Sequence, residues 1–199
     1  MLAATGNQVL WYLSRGTGLV LLVLLTAVVL LGIAVRANWS GPSGQRFVLE
    51  GLHRNLGLLA VVLLVVHVVT AIADPFVRIG WIAGIVPFTS PYRTLWVGLG
   101  TLSVDLLAAV LVTSLLRRHM KYRSWRLVHW LAYLAWPTAF LHSLYAGDDT
   151  KLSVVAAVDW ACLALVLGAV LARFVAGRRG LVPAVVPAVA TDPRRRSVR

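Results

Sequence analysis

Charge is scarce in this sequence, and acid is scarcer than base. Only 13% of the 199 residues are charged, with seven Asp+Glu against 19 Lys+Arg. A soluble domain carries about 25% charged residues, so a soluble globular enzyme is excluded. Disorder is excluded too, because 59% of the chain is hydrophobic and its mean hydropathy is +0.82; disordered chains have low hydrophobicity. Cysteine is nearly absent. Cys162 stands alone, which rules out an intrachain disulfide and any two-cysteine attachment motif. There is no internal repeat, no paired nucleophile and base, and no nucleotide-binding loop. The length accommodates about five or six membrane spans but no second folded domain of about 100 residues. Any catalysis that needs a flavin or nucleotide domain would therefore involve another chain.

What the sequence does have is long apolar runs. A bilayer crossing takes about 20 residues. Five runs have that length: 16–35, 55–73, 94–116, 127–147 and 152–172. The expected fold class is all-α, an integral membrane helical bundle of five spans. The run 79–88 is too short to cross, and Pro75, Pro87 and Pro91 lie around it; it reads as an interfacial or re-entrant segment. The first run lacks a basic leader and is longer than a signal-peptide core. Val35-Arg36-Ala37 leaves a cleavage site as the alternative to a span.

Counting spans places 36–54, 117–126 and the tail on one face, with 15 of the 19 Lys+Arg. Positive charge marks the cytoplasmic side. The expectation is a multi-pass protein of the cytoplasmic membrane, N-terminus outside and C-terminus inside. Asp74, Asp148 and Asp149 then lie outside, and Trp11, Trp39, Trp81, Trp96 and Trp125 sit near span ends as interfacial anchors. The basic residues are explained by topology and anionic lipid rather than nucleic acid. Residues 1–175 form the expected transmembrane domain. Residues 176–199, with Pro183, Pro187 and Arg194–Arg196, form a basic, disordered cytoplasmic tail.

The histidines carry the chemistry. His53 and His67 lie 14 residues apart in the second span, and His129 and His142 lie 13 apart in the fourth. An ionisable side chain in a membrane is costly and points to function, and imidazole is a common axial ligand of haem. Fourteen residues make nearly four helical turns, so His53 and His67 share a face about 21 Å apart along the axis. Gly57, Ala60 and Leu64 fall on the same row, where small residues would admit a flat macrocycle. The 13-residue spacing puts His129 and His142 about 140° apart on an ideal helix, and a kink at Pro137 is expected to bring His142 round. One span intervenes, so the two host spans are parallel. His53 then pairs in depth with His129, and His67 with His142. Each pair can clamp one haem b without covalent attachment. The opposing view makes each histidine a helix–helix hydrogen bonder or a proton-path residue. His119, in the basic loop Arg117-Arg118-His119-Met120-Lys121, is expected to be solvated.

These residues resemble the ferric-reductase-type transmembrane domain. That family includes ferric reductases, NADPH oxidases and the haem-binding membrane subunit of the bacterial methionine-sulfoxide reductase system. The resemblance rests on Leu52-His53-Arg54-Asn55-Leu56-Gly57 with His67, on Ser90-Pro91-Tyr92-Arg93-Thr94-Leu95, on Thr113-Ser114, and on Trp125-Arg126-Leu127-Val128-His129 through Tyr133 to His142-Ser143. It implies two bis-histidine haems, with His53, His67, His129 and His142 at the ligand positions. It also implies electrons passing from a cytoplasmic flavin or NAD(P)H donor to an outside acceptor. The family core commonly has six spans, and the one without a counterpart would precede Gly16. FMN or FAD binding to this chain has no support in the sequence.

Other polar residues fit around this scheme. Arg54 and Arg126 flank His53 and His129 and are candidate partners of haem propionates, because Arg favours bidentate carboxylate contacts. Arg15 and Arg93 are the equivalents at the other level. Asp105, amid the third span, is expected to face the bundle or a polar cavity, where it would accept a bond from a ligand histidine or from a neighbouring helix. Asp159 is expected at the interface. Tyr133, Trp136 and Phe140 are expected to pack helices or line a haem. The functional expectation is a membrane electron-transfer subunit. Its donor would be a separate flavoprotein or quinol, and its acceptor extracytoplasmic, such as ferric iron. The alternatives are a single-haem subunit serving a methionine-sulfoxide reductase, and a small transporter or scaffold with structural histidines.

Overall fold

The computed structural model describes residues 2–37, 43–75, 77–147 and 153–178, and among these it contains helices and turns but no strand. Six helices follow in chain order: α1 Leu2–Ala37, α2 Ser43–Ala73, α3 Thr94–Leu115, α4 Tyr122–His129, α5 Ala132–Ala146 and α6 Ser153–Arg178. Four are long and apolar enough to cross a membrane, over Val9–Ala37, Arg46–Ala73, Thr94–Leu115 and Val154–Ala176. Helix is the required form there, because hydrocarbon offers no partner to an open backbone N–H or C=O. Val62, Val69, Leu165 and Leu171 are exposed on the outer faces, where lipid rather than water suits them. The chain is a multi-pass helical membrane bundle.

α1 is the central element. It packs along α2 and also touches α5 and α6, while α3 packs along α5. Leu21, Leu22 and Leu25 of α1 meet Ala60, Trp136, Phe140, Cys162 and Val166 in the buried core. Ala60, on the small-residue row of α2, is buried in this core. Two buried polar pairs cross between helices. Trp136 Nε1 donates to Thr26 Oγ1 at 3.0 Å, and Ser103 Oγ donates to the Ala135 carbonyl at 3.0 Å. Trp136 stacks on Phe140 with centroids 5.4 Å apart, so both pack helices; Tyr133 is exposed.

The fourth apolar run is two helices rather than one. The break lies at Trp130–Leu131, ahead of Pro137, which sits inside α5. Here the winding tightens: Leu131 N–H bonds to Val128 O, Tyr133 to Trp130 O and Leu134 to Leu131 O, each three residues back. Such tightening turns the chain by more than the roughly 100° per residue of an α-helix, which works against the mismatch of about 140°, and it lies ahead of the proline.

The segment 79–88 makes no span. It forms a short 3₁₀ turn over Trp81–Gly84, with Trp81, Ile82 and Ile85 exposed. Ala83 is buried, and its carbonyl accepts a bond from Thr101 Oγ1 of α3. Two acidic residues are placed differently from expectation. Asp159 is fully buried rather than interfacial; Ser143 Oγ donates to its Oδ1 at 3.2 Å. Asp105 is exposed on the outer surface of α3 rather than facing the bundle. Trp39, Asp148, Asp149, Lys151 and the tail beyond Arg178 lie outside the described residues.

Candidate functional site

His53 and His67 project from α2, His129 ends α4, and His142 lies in the last turns of α5. The fold brings them together in two pairs. The ring centroids of His53 and His129 are 6.2 Å apart, and those of His67 and His142 are also 6.2 Å apart. Imidazole nitrogen binds a first-row metal at about 2.0 Å and lies about 1.2 Å from its ring centre, so two imidazoles on one metal have centroids roughly 6.3 Å apart. Both pairs have that separation. The pairs face each other across a seam where α2 is not packed backbone to backbone on α4 or α5. Among the described residues no three His, Cys, Asp or Glu side chains cluster. Pairs of imidazoles therefore suit a macrocycle that brings its own four nitrogens, not a bare ion.

Three of the four rings are held from behind. His53 Nδ1 is 3.0 Å from the Val28 carbonyl, His67 Nδ1 2.9 Å from that of Ser14, and His142 Nδ1 2.8 Å from that of Trp96. A carbonyl only accepts, so Nδ1 carries the proton and donates, leaving the Nε2 lone pair for a metal. His129 differs: its Nδ1 is buried without a hydrogen-bond partner among the described residues. Its ring instead stacks on Trp125, at 4.9 Å and 28°. Arg117 lies over the opposite neighbour of that stack, 4.4 Å from the Trp125 centroid. Trp125 Nε1 is likewise buried and unpartnered among the described residues, a donor with no acceptor supplied by the protein.

An apolar groove of about 260 Å³ opens between α2 and α3, lined by Leu64, Val65, Val68, Leu107 and Leu111 among others. Arg54 and Arg126 are exposed at the His53–His129 end, and Arg126 lies over Tyr122 at 5.6 Å. Arg93 holds two backbone carbonyls. Its Nη1 donates to the carbonyls of Tyr145 and Gly147, at 2.6 and 3.0 Å, and so ties the start of α3 to the end of α5. Arg15 lies over Trp11 and beside Gly147. His119 is exposed and takes a bond from Arg118 Nε at 3.0 Å.

A model of the family described as ferric reductase like transmembrane component matches residues 17–140. The chain belongs to this family. The match includes His53, His67 and His129 and ends just before His142. Transmembrane domains of the ferric reductase family generally bind haem, work with flavin-type cytoplasmic partners, and act in membrane electron transfer. No curated protein matches, and no solved structure matches.

The backbone acceptors on α1 and α3 are the functional groups that sequence reasoning missed, since a carbonyl belongs to every residue type. Service to a ligand histidine was one of the roles open to Asp105, beside a bond to a neighbouring helix, and its surface position removes it from that task. Asp105→Asn is expected to leave the visible spectrum and midpoint potentials of the haem-loaded ferric-reductase-like domain unchanged. A shift in either would return the carboxylate to a ligand's side.

Proposed function

We propose that this chain is a di-haem cytochrome b that passes single electrons across the cytoplasmic membrane. The donor is a flavoprotein or quinol at the side bearing Arg54, Arg117 and Arg126, and the acceptor lies on the other side, ferric iron being the type expected. The N-terminus is then outside and the C-terminus inside. One observation carries this reading: two histidine pairs on separate levels have the same 6.2 Å ring separation, the distance of a bis-imidazole sandwich. Haem bound there supplies a reversible one-electron couple at each level.

The chain's own residues do the rest. His53 with His129, and His67 with His142, are the ligand pairs. The levels are about 21 Å apart along α2, a division of the membrane into short steps. The apolar spans around the pairs keep water out and the dielectric low. Arg54 and Arg126 supply positive charge for propionates at the first level, and Trp125 Nε1 offers a spare donor there. Transmembrane domains of this family generally work with cytoplasmic flavin-type partners, which suits a donor at this side.

The test is haem per chain in the purified protein, together with the reduced spectrum. Two haems with sharp reduced α and β bands are expected. One haem would favour a subunit delivering electrons to a methionine-sulfoxide reductase. A colourless, folded preparation would leave a transporter or scaffold.

A further inference from the structure

The three carbonyl-anchored histidines share a second feature. In each case the acceptor is followed four residues later by a glycine: Ser14 by Gly18, Val28 by Gly32, Trp96 by Gly100. Each glycine faces the same imidazole. A Cβ at Gly18 would stand 2.9 Å from Cε1 of His67, and one at Gly32 would stand 3.4 Å from Cε1 of His53. A Cβ at Gly100 would stand 2.5 Å from Nδ1 of His142. The three nearest groups at Gly18 and Gly100, and both at Gly32, are imidazole atoms alone. Other glycines do not share this: Gly84 faces Ile72 and Val68, and Gly16, Gly51, Gly57 and Gly168 face open space.

The geometry of a helix explains the interval. The carbonyl of residue i bonds to the N–H of residue i+4, and Cβ of i+4 leans back over that preceding turn. A side chain at i+4 therefore covers the outer lone pair of carbonyl i. Glycine uncovers it, and the oxygen can accept a second bond. We propose that Gly18, Gly32 and Gly100 are positioning residues for the haem ligands, each admitting one histidine ring to a neighbouring helix so that Nδ1–H reaches the bare carbonyl. The proposal rests on the haem reading above. A donated Nδ1–H fixes the tautomer, aims Nε2 at the iron and makes the imidazole more basic. More basic ligands favour ferric iron and lower the potential. His129, with Trp125 behind it and no glycine, is the ligand without this device.

The pairing gives a topological prediction. Gly18 and Gly100 serve the two ligands of one haem, and Gly32 serves the other haem. Alanine variants at each, with Gly168→Ala as control, are read by haem transfer to a scavenger protein, by midpoint potentials and by low-spin EPR. Gly100→Ala should speed haem release about 10- to 100-fold, the usual cost of losing such an outer partner, and raise the potential of its haem. Gly18→Ala should alter the g-values and raise the potential of that same haem, less strongly. Gly32→Ala should act weakly and on the other haem alone. Helix propensity favours alanine over glycine, so a loss of helix stability does not account for these shifts.

A Gly100→Ala protein that carries two haems and matches wild type in all three readouts would overturn the proposal and leave the cytochrome reading standing. So would equal losses in all four variants. A wild type without haem would sink both. Should Gly100→Ala fail to fold, Gly18→Ala and Gly32→Ala still decide, by whether they perturb different haems.

Discussion

Replacing His67 by leucine should remove one haem of two and leave the other with its spectrum intact. The two levels share no ligand, and His53 keeps its bond to the Val28 carbonyl on a separate part of α1. Leucine fills a similar volume without leaving a buried polar group, so the bundle should still insert. The pyridine haemochromogen assay should fall from two haems per chain to one. In vesicles with reductant on one side and ferricyanide on the other, electron flux should drop to the background of empty vesicles, since the remaining haem reaches only half-way. His142→Leu should give the same phenotype, and His53→Leu the reciprocal one. Retention of both haems in His67→Leu would dismiss the paired-ligand scheme.

Arg93→Ala should have the largest effect on stability. Its guanidinium bonds to two carbonyls at the end of α5, where a cation meets the negative end of the helix dipole. The surrounding Ser90–Leu95 motif is built for this. Ser90 Oγ accepts from the Tyr92 N–H, the Ser90 carbonyl accepts from Thr94 Oγ1, and Arg93 itself holds φ 41°, a left-handed conformation costly for a non-glycine residue. Hydrogen bonds to charged groups contribute about 1.5–3 kcal/mol each, so loss of both should cost about 3 kcal/mol. For a chain of this size that corresponds to roughly 6–12 °C in thermal midpoint, measurable in detergent by differential scanning fluorimetry. The His67–His142 haem should loosen with it, because Trp96 and Tyr145 stack at 4.2 Å in the same clasp. Arg93→Lys should recover part of the loss, keeping the charge but not the fork. An unchanged midpoint in Arg93→Ala would remove the clasp from the stability of the bundle.

Much of the architecture was legible from composition. A chain with so little charge and five apolar runs has few ways to fold, and a helical membrane bundle is the one found. The histidine pairing was legible as well, because a 14-residue interval on a helix nearly closes on itself. The 13-residue interval was not, since the phase depends on local winding at Trp130 and Leu131, which no residue there announces. Asp105 and Asp159 exchanged the environments expected of them. Position along a span gives depth, but rotation about the helix axis decides between lipid and core, and that rotation is set by packing partners. The anchoring carbonyls left a faint trace: Gly18 and Gly32 repeat the 14-residue interval of His53 and His67.

The sequence by itself determined the solvent this chain lives in, the helical form of its spans and the depth of its imidazoles, because hydrophobicity and the helical repeat are local properties. Which imidazoles meet, at what separation, and against which carbonyls their backs rest was decided only by the tertiary structure. Those distances arise between helices distant in sequence, from the close approach of α1 to α2 and of α3 to α5.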